Sequence, residues 1–459
     1  MKKMHICLAT REFPPTTNGG IATYYTNLAQ LFANHGHTVT VLTVGNNTTK
    51  SQWSYPGVTV IRLDQAPEVL FNQLKRKFEQ QLHYVARAIA DGLAMRDWLR
   101  DNATKQGIDI VETPEYGGAA SFLIENDMPP TLVVCHGSYG QIKHHIRKGE
   151  TSVQKFISSL EVMSIGLADE VGCYSPMNAG EWECFIGRKP RFIVAPHILT
   201  TSVSPKNSYR TSNYTGIVVG RLGNLKGALE VIEALDICVK KGIDVKIRWI
   251  GGDQASPLES IKSTKAHLQQ HYPHLWDQHF LWEEFLPPEE TRRAQLDADF
   301  AMVPSRWDSF NFTAVEAMSA GTPVVISTGA GASYLCKNME NGIVVPPKNA
   351  DALVDAIVTL QDANLRERLG KQGRATVERE FAADKIVTEH IGAYKAAIAR
   401  HAYRQEHPYN CSVMAPFVSQ WQRSFKLSGI IKQAARLLKN TVVNGNMTLL
   451  KSKQESCQS

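Results

Sequence analysis

Two consecutive doubly wound α/β domains, each a parallel sheet flanked by helices, are the architecture predicted by this 459-residue sequence. Three observations carry the prediction. Short β-branched or apolar runs alternate with longer segments of helical period through both halves. A stretch rich in Ser, Asn and Thr at 200–215 divides that alternation in two and reads as an interdomain linker. The chain is too long for one ordinary core, and its 43% apolar and 20% charged residues are those of a globular protein.

The first half opens with a strand at 4–9. A loop bearing Pro14, Pro15, Gly19 and Gly20 follows. Ile21, Tyr24, Leu28, Leu31 and Phe32 then mark one face of a helix that stops at Gly36. Residues 38–43 return as a strand, which completes the order of a parallel βαβ unit. Further buried strands are expected at 108–112, 131–135, 170–173 and 191–195. Ser175 ahead of Pro176 has the form of a helix N-cap with proline in the first turn.

The second half begins with a strand at 216–220. Ala228, Val231, Ile232, Leu235 and Cys238 give a helix face, and 245–250 is a strand ending at Gly251-Gly252. Strands near 300–303, 323–327 and 342–345 follow, separated by helical pattern. The boundaries read as 1–200 and 201–385 for the two Rossmann-like domains and 386–410 for a helix returning toward the first. Residues 411–459 form a basic extension. Ligands in such sheets collect at the carboxyl ends of the strands, so a cleft between the halves is the expected site.

Composition excludes several classes. Cys7, Cys135, Cys173, Cys184, Cys238, Cys336, Cys411 and Cys457 form no CxxC pair, so a reducing cytoplasm fits better than a disulfide framework or a zinc knuckle. The start carries only a stub of apolar residues before Arg11 and Glu12, too short for a secretory signal, and no stretch has the apolar length to span a bilayer. The net charge of +6 sits in the tail: residues 401–459 hold eight Lys or Arg against Glu406 and Glu455, and the preceding 400 residues balance at 42 against 42. A body without basic excess is not built for nucleic acid.

The densest chemistry lies at 303–325, where a strand ends at Val303, a loop carries Asp308, and a helix runs from near Phe312 through Glu316 to a glycine stop at Gly321. A helix start offers free N–H groups and a positive dipole end to a phosphate. Acids in the loop and one turn into the helix can grip hydroxyls on either side of it. Either acid alone would read as an ordinary surface group; the whole stretch does not. In 218–227, Arg221 and Lys226 flank a glycine-bearing turn between strand and helix. Two cations there can neutralise a diphosphate leaving group.

These residues resemble the family-four retaining glycosyltransferases of the GT-B fold. The resemblance rests on the acid pair ending in Glu-Ala-Met-x-Ala-Gly-x-Pro-Val-Val, on Gly-Arg-Leu with Lys226-Gly227 three residues on, and on the Pro-Pro to Gly-Gly loop. It covers roughly 4–395. It implies that Arg221 and Lys226 bind the donor diphosphate, Glu316 the ribose, and Asp308 hydroxyls of the donor sugar. Gly20 would let backbone approach the phosphates, His136 would lie close to the transferred sugar, and Gly331 belongs to the family's glycine loop. Three positions depart from the pattern. Asp308 stands where Glu is usual, Asn311 follows Phe310 where Gly is usual, and Pro196-His197-Ile198 replaces a Pro-Asn-Gly.

The implied reaction retains anomeric configuration. The nucleoside diphosphate departs through an oxocarbenium-like state and the acceptor hydroxyl attacks the same face, with catalysis by positioning and charge stabilisation. No cofactor and no metal are expected; Asp297-Ala298-Asp299 looks like a metal-binding D-x-D but leads into an apolar strand. The expected partners are a UDP- or GDP-type nucleotide sugar and a glycan, lipid-linked or small-molecule acceptor. Neither half carries a dinucleotide G-x-G-x-x-G or a P-loop. A sugar-nucleotide epimerase of similar fold, or a silent nucleotide-sugar-binding subunit, stays open beside the transferase. In the tail, Leu427, Ile430, Ile431, Ala434, Leu437 and Leu438 fall on one side of a helical pattern, with Lys432, Arg436 and Lys439 largely elsewhere. That stripe can pack on the first domain or lie at the inner face of a membrane to meet a lipid-linked acceptor.

Overall fold

Two all-parallel sheets organise the chain in a computed structural model that describes residues 2–15, 19–45, 54–125, 127–146, 151–198, 214–256 and 260–406. The first sheet contains β1 (His5–Ala9), β2 (Thr38–Val44), β3 (Val58–Leu63), β4 (Ile110–Pro114), β5 (Thr131–Cys135), β6 (Glu170–Cys173) and β7 (Arg191–Phe192) in the order β3-β2-β1-β4-β5-β6-β7. The second contains β8 (Thr215–Val219), β9 (Lys246–Ile250), β10 (Phe280–Glu283), β11 (Phe300–Val303), β12 (Val324–Ser327) and β13 (Ile343–Val345) in the order β10-β9-β8-β11-β12-β13. Central strands such as β4, β5 and β12 are buried along their whole length, as helices on both faces require; β5 and β12 are correspondingly apolar, while β4 buries Glu112 and Thr113.

Helices supply the crossovers. In the first half they are α1 (Gly20–Asn34), α2 (Gln65–Lys75), α3 (His83–Gln106), α4 (Tyr139–Ile146), α5 (Ser152–Leu167) and α6 (Pro176–Ile186). In the second they are α7 (Ala228–Lys240), α8 (Thr264–His271), α9 (Pro288–Asp297), α10 (Phe312–Ser319), α11 (Ala350–Thr359) and α12 (Ala363–Glu380). The apolar stripe of α1 buries Tyr24, Leu28, Leu31 and Phe32, and that of α7 buries Val231, Ile232, Leu235 and Cys238. Ser175 accepts from Asn178 N at 3.2 Å as the N-cap of α6, with Pro176 in its first turn.

The last helix, α13 (Ala383–Glu406), lies against β4, β5 and β6 of the first sheet. Buried polar contacts hold it there. Tyr394 Oη donates to Glu112 Oε2 at 2.6 Å, His390 Nε2 pairs with Tyr24 Oη at 3.0 Å, and His401 Nδ1 lies 3.1 Å from Asp169 Oδ2.

Several elements differ from the sequence expectation. Thr215 already belongs to β8, and 199–213, most of the expected linker, lies outside the described residues. β4 starts at Ile110 because Ile108 N still bonds to Ala103 O, closing α3 past Gly107 at φ 66°. β7 keeps only two residues: Ile193 N still reaches Cys173 O, but the ladder stops at the sheet edge. β3, β10, α2 and α3 were not expected. The stripe at 425–439 falls outside the described residues, and among those described no helix is long and apolar enough to cross a membrane.

Candidate active site

Strand order reverses between β8 and β11 in the second sheet, and a crevice opens at such a switch point beyond the strand ends. The loops leaving those two strands carry Arg221 and Lys226 on one side and Asp308 on the other. They can touch because Gly227, at φ 78°, lacks a Cβ that would stand 2.2 Å from Pro304 O.

The Lys226 ammonium donates to the Asp308 carboxylate. Asp308 also accepts from Asn311 Nδ2 at 3.0 Å and from Phe310 N at 3.3 Å. Asn311 has φ 86°, a left-handed conformation that favours glycine and that asparagine tolerates. The two departures from the family pattern therefore work together: the amide in the glycine position supplies a donor to the shorter acid. Asn311 Oδ1 also accepts from Ala314 N at 3.3 Å, capping α10.

Arg221 is exposed and bonds to no described side chain or carbonyl. The carboxylate of Glu316, half-buried one turn into α10, also lacks a described hydrogen-bond partner; burial raises its pKa, and Arg292 partly offsets the shift. Gly331 N donates to Asp308 O at 2.9 Å. A Cβ on Gly331 would sit 2.1 Å from Ser309 O and 2.5 Å from Ser175 Oγ, so only glycine fits. Gly20 opens α1 with nothing near its missing Cβ and no bond to this group.

His136 follows β5 in the first half. Its ring is caged by Tyr24, Tyr25 and Tyr174, and its Nδ1 pairs with Tyr174 Oη at 2.8 Å. Burial lowers its pKa to about 3, so the ring is neutral, and Nε2 is buried with no hydrogen-bond partner among the described residues. It reaches the second half through its backbone: its carbonyl accepts from Ser309 Oγ at 2.6 Å.

Sequence reasoning missed the buried acids beneath this strand end. Glu115 accepts from His136 N and Gly137 N, each at 2.8 Å, while burial pushes its pKa up to about 7. Glu161 accepts from Gly117 N and Tyr139 N, each at 2.9 Å. Glu112 and Glu115 interrupting an apolar run were the available signal, since a buried acid must find donors. Trp307 to Glu181 at 2.9 Å was missed as well. Asp297 and Asp299 do not converge: the first is exposed, and the second is buried, accepting from Thr215 N at 3.0 Å.

The family model for Glycosyltransferase Family 4 matches residues 18–200, and that for Glycosyl transferases group 1 matches 202–376, one for each sheet. The chain belongs to the family-four type of GT-B glycosyltransferases. Among curated glycosyltransferases, an uncharacterized one of Methanocaldococcus jannaschii is 24% identical over 419 residues, 86% of this chain and 99% of that protein. Glycogen synthase of Mycobacterium tuberculosis is 24% identical over 88% of this chain and 97% of its own. Sucrose-phosphate synthase from Thermosynechococcus elongatus superposes with TM-score 0.65 at 20% identity, over 86% of this glycosyltransferase and all of that chain. Anabaena HepE, solved in complex with UDP, gives 0.63 at 16% identity, over 86% of this chain and 100% of its own. At these identities the solved structures speak for the fold.

Proposed function

We propose that this glycosyltransferase takes a sugar from a UDP- or GDP-type donor, keeps its anomeric configuration, and needs no metal. The observation that carries the reading is the charge at the β8/β11 switch point. Arg221 stands exposed with no hydrogen-bond partner among the described residues, with Lys226 five residues on. Lys226 is held by Asp308 before the donor arrives, and together with Arg221 it would stabilise the charge that develops as the diphosphate leaves. Glu316 takes the ribose; Asp308 and the His136–Gly137 strand end face the departing sugar; Gly20 leaves room for it, and Gly331 lets its loop close on Ser309 beside Asp308. Neutral, caged and paired with Tyr174, His136 is not poised as a base. The leaving phosphate accepts the proton of the attacking hydroxyl. UDP in Anabaena HepE supports the donor class, and the 210 Å³ cavity lined by Thr10, Arg11, Tyr84 and Thr113 at the ends of β1 and β4 supports acceptor binding in the first half.

A thermal-shift screen of UDP, GDP and their sugars tests the reading. One diphosphate and its sugar should raise Tm in metal-free buffer, and an added acceptor should give a glycoside of unchanged configuration. An inverted product, or a requirement for divalent metal, would refute the mechanism. Epimerised sugar without transfer would favour the epimerase.

A further inference from the structure

The loop that bears Asp308 is held from across the cleft on both sides of that residue. Trp307, buried, donates from Nε1 to Glu181 Oε1 of α6 at 2.9 Å. Its indole stacks on the His145 imidazole of α4, with ring centres 4.7 Å apart and planes 17° from parallel. His145 Nε2 pairs with the same Glu181 oxygen at 2.9 Å, and Gln141 Nε2 donates to the other at 2.9 Å, so the receiving carboxylate is itself fixed. Two residues along, Ser309 Oγ donates to the His136 carbonyl at 2.6 Å. Gly137, at φ 106°, makes room: a Cβ there would meet Ser309 at 3.1 Å and Trp307 at 3.3 Å.

Asp308 lies between these anchors in a parallel bridge with Ala330. With 307 and 309 tied to the first half, 308 is turned to the second, where it meets Lys226. Lys226 stands on a single 3-10 turn (Asn224–Lys226), a short element that sets a long flexible side chain only loosely.

We propose that Trp307 and Ser309 are positioning residues: through them the first half sets Asp308, and through Asp308 the ammonium of Lys226, against the donor diphosphate. The proposal rests on the reading of Lys226 as a diphosphate ligand. It adds that the cation is placed by the opposite half of the molecule.

Calorimetry on the full chain with UDP, GDP and ADP, and with the matching monophosphates, measures each variant's preference for the second phosphate. Lys226→Ala should lose most of that preference. If it keeps it, or if the unmodified chain binds no diphosphate, the underlying reading fails and the proposal with it. Given that loss, Trp307→Phe keeps the stacking ring and removes the N–H, and Ser309→Ala removes the hydroxyl. Each should lower the preference about threefold, the scale of one hydrogen bond, with monophosphate affinity unchanged and no further loss when combined with Lys226→Ala. Ser309→Thr, which keeps the hydroxyl, should preserve it. The proposal is overturned if neither variant lowers the preference, or if mono- and diphosphate affinities fall together as general loosening would make them.

Discussion

The strand ends of the two sheets treat charge in opposite ways. Within and just beyond β4 and β5 the ionisable groups are enclosed and largely answered from within: Glu115 takes two backbone N–H groups, Glu112 Oε2 takes Tyr394, and His136 Nδ1 is paired with Tyr174. Beyond β8 and β11, Lys226 and Asp308 answer each other, but Arg221 stands in solvent and the Glu316 carboxylate has no described hydrogen-bond partner. Buried polar groups whose bonds are made within the protein are architecture, because leaving them unmade is costly. Charges held in a crevice without partners are where a ligand completes the set. Mutating the first kind should cost folding, and mutating the second should cost binding and turnover.

The largest effect that sharpens this contrast is expected at Arg221. Arg221→Ala should lower kcat/KM by about 10²-fold, the loss of one preorganised charge contact, with Tm unchanged; steady-state kinetics and a melting curve together check it. A fall in Tm without loss of turnover would break the comparison. On the enclosed side, Glu115→Ala strands two buried N–H groups and should cost about 2 kcal/mol in denaturant unfolding, whereas Glu115→Gln keeps an acceptor and should cost less. Glu316→Gln should weaken nucleotide binding about tenfold, the scale of a charged hydrogen bond to a hydroxyl, which calorimetry reads directly; equal affinity would remove Glu316 from the ribose.

The smallest effect is one of pH. Burial holds the Glu112 carboxyl at about 7 against an ordinary 4.5, and its hydrogen bonds from tyrosines only partly offset that. A raised folded pKa means that the neutral form is favoured by folding. Its contribution is therefore complete below about 4.5 and lost as pH rises through about 7. Glu112→Gln should flatten the decline in Tm between pH 5 and 8 by about 2 °C. His136, lowered to about 3, and His390, lowered to about 4, act in the opposite sense as pH falls below 6.5 and are common to both proteins. An identical pH profile in the variant would show that Glu112 is ionised in the folded chain at all these pH values.

Most of both sheets was legible because parallel strands covered on two faces are continuous apolar runs, and runs such as 131–135 and 300–303 have few other uses. β3 was not, since five of its six residues are only partly buried and mix Thr and Arg with apolar side chains. α3 was not, because alanines, Gly92 and Asp91 make up most of its buried residues, which leaves no strong stripe. At the site, Arg221, Lys226, Asp308 and Glu316 were readable as residue types at fixed spacing. The pairing of Lys226 with Asp308, the cage around His136 and the Trp307–Glu181 bond join residues 38 to 126 positions apart. No local pattern encodes contacts that only the folded topology creates.

The central claim, a transferase whose cations at the β8/β11 switch point carry off a nucleoside diphosphate, is met most directly by ³¹P NMR of the full chain incubated with a panel of UDP- and GDP-sugars. With sugar and glycoside acceptors present to take the transferred sugar, one sugar nucleotide should release its diphosphate without added metal, and Arg221→Ala should slow the release about 10²-fold while leaving the protein folded. Release at the unmodified rate in that variant, or no release from any sugar nucleotide of either class, would contradict it.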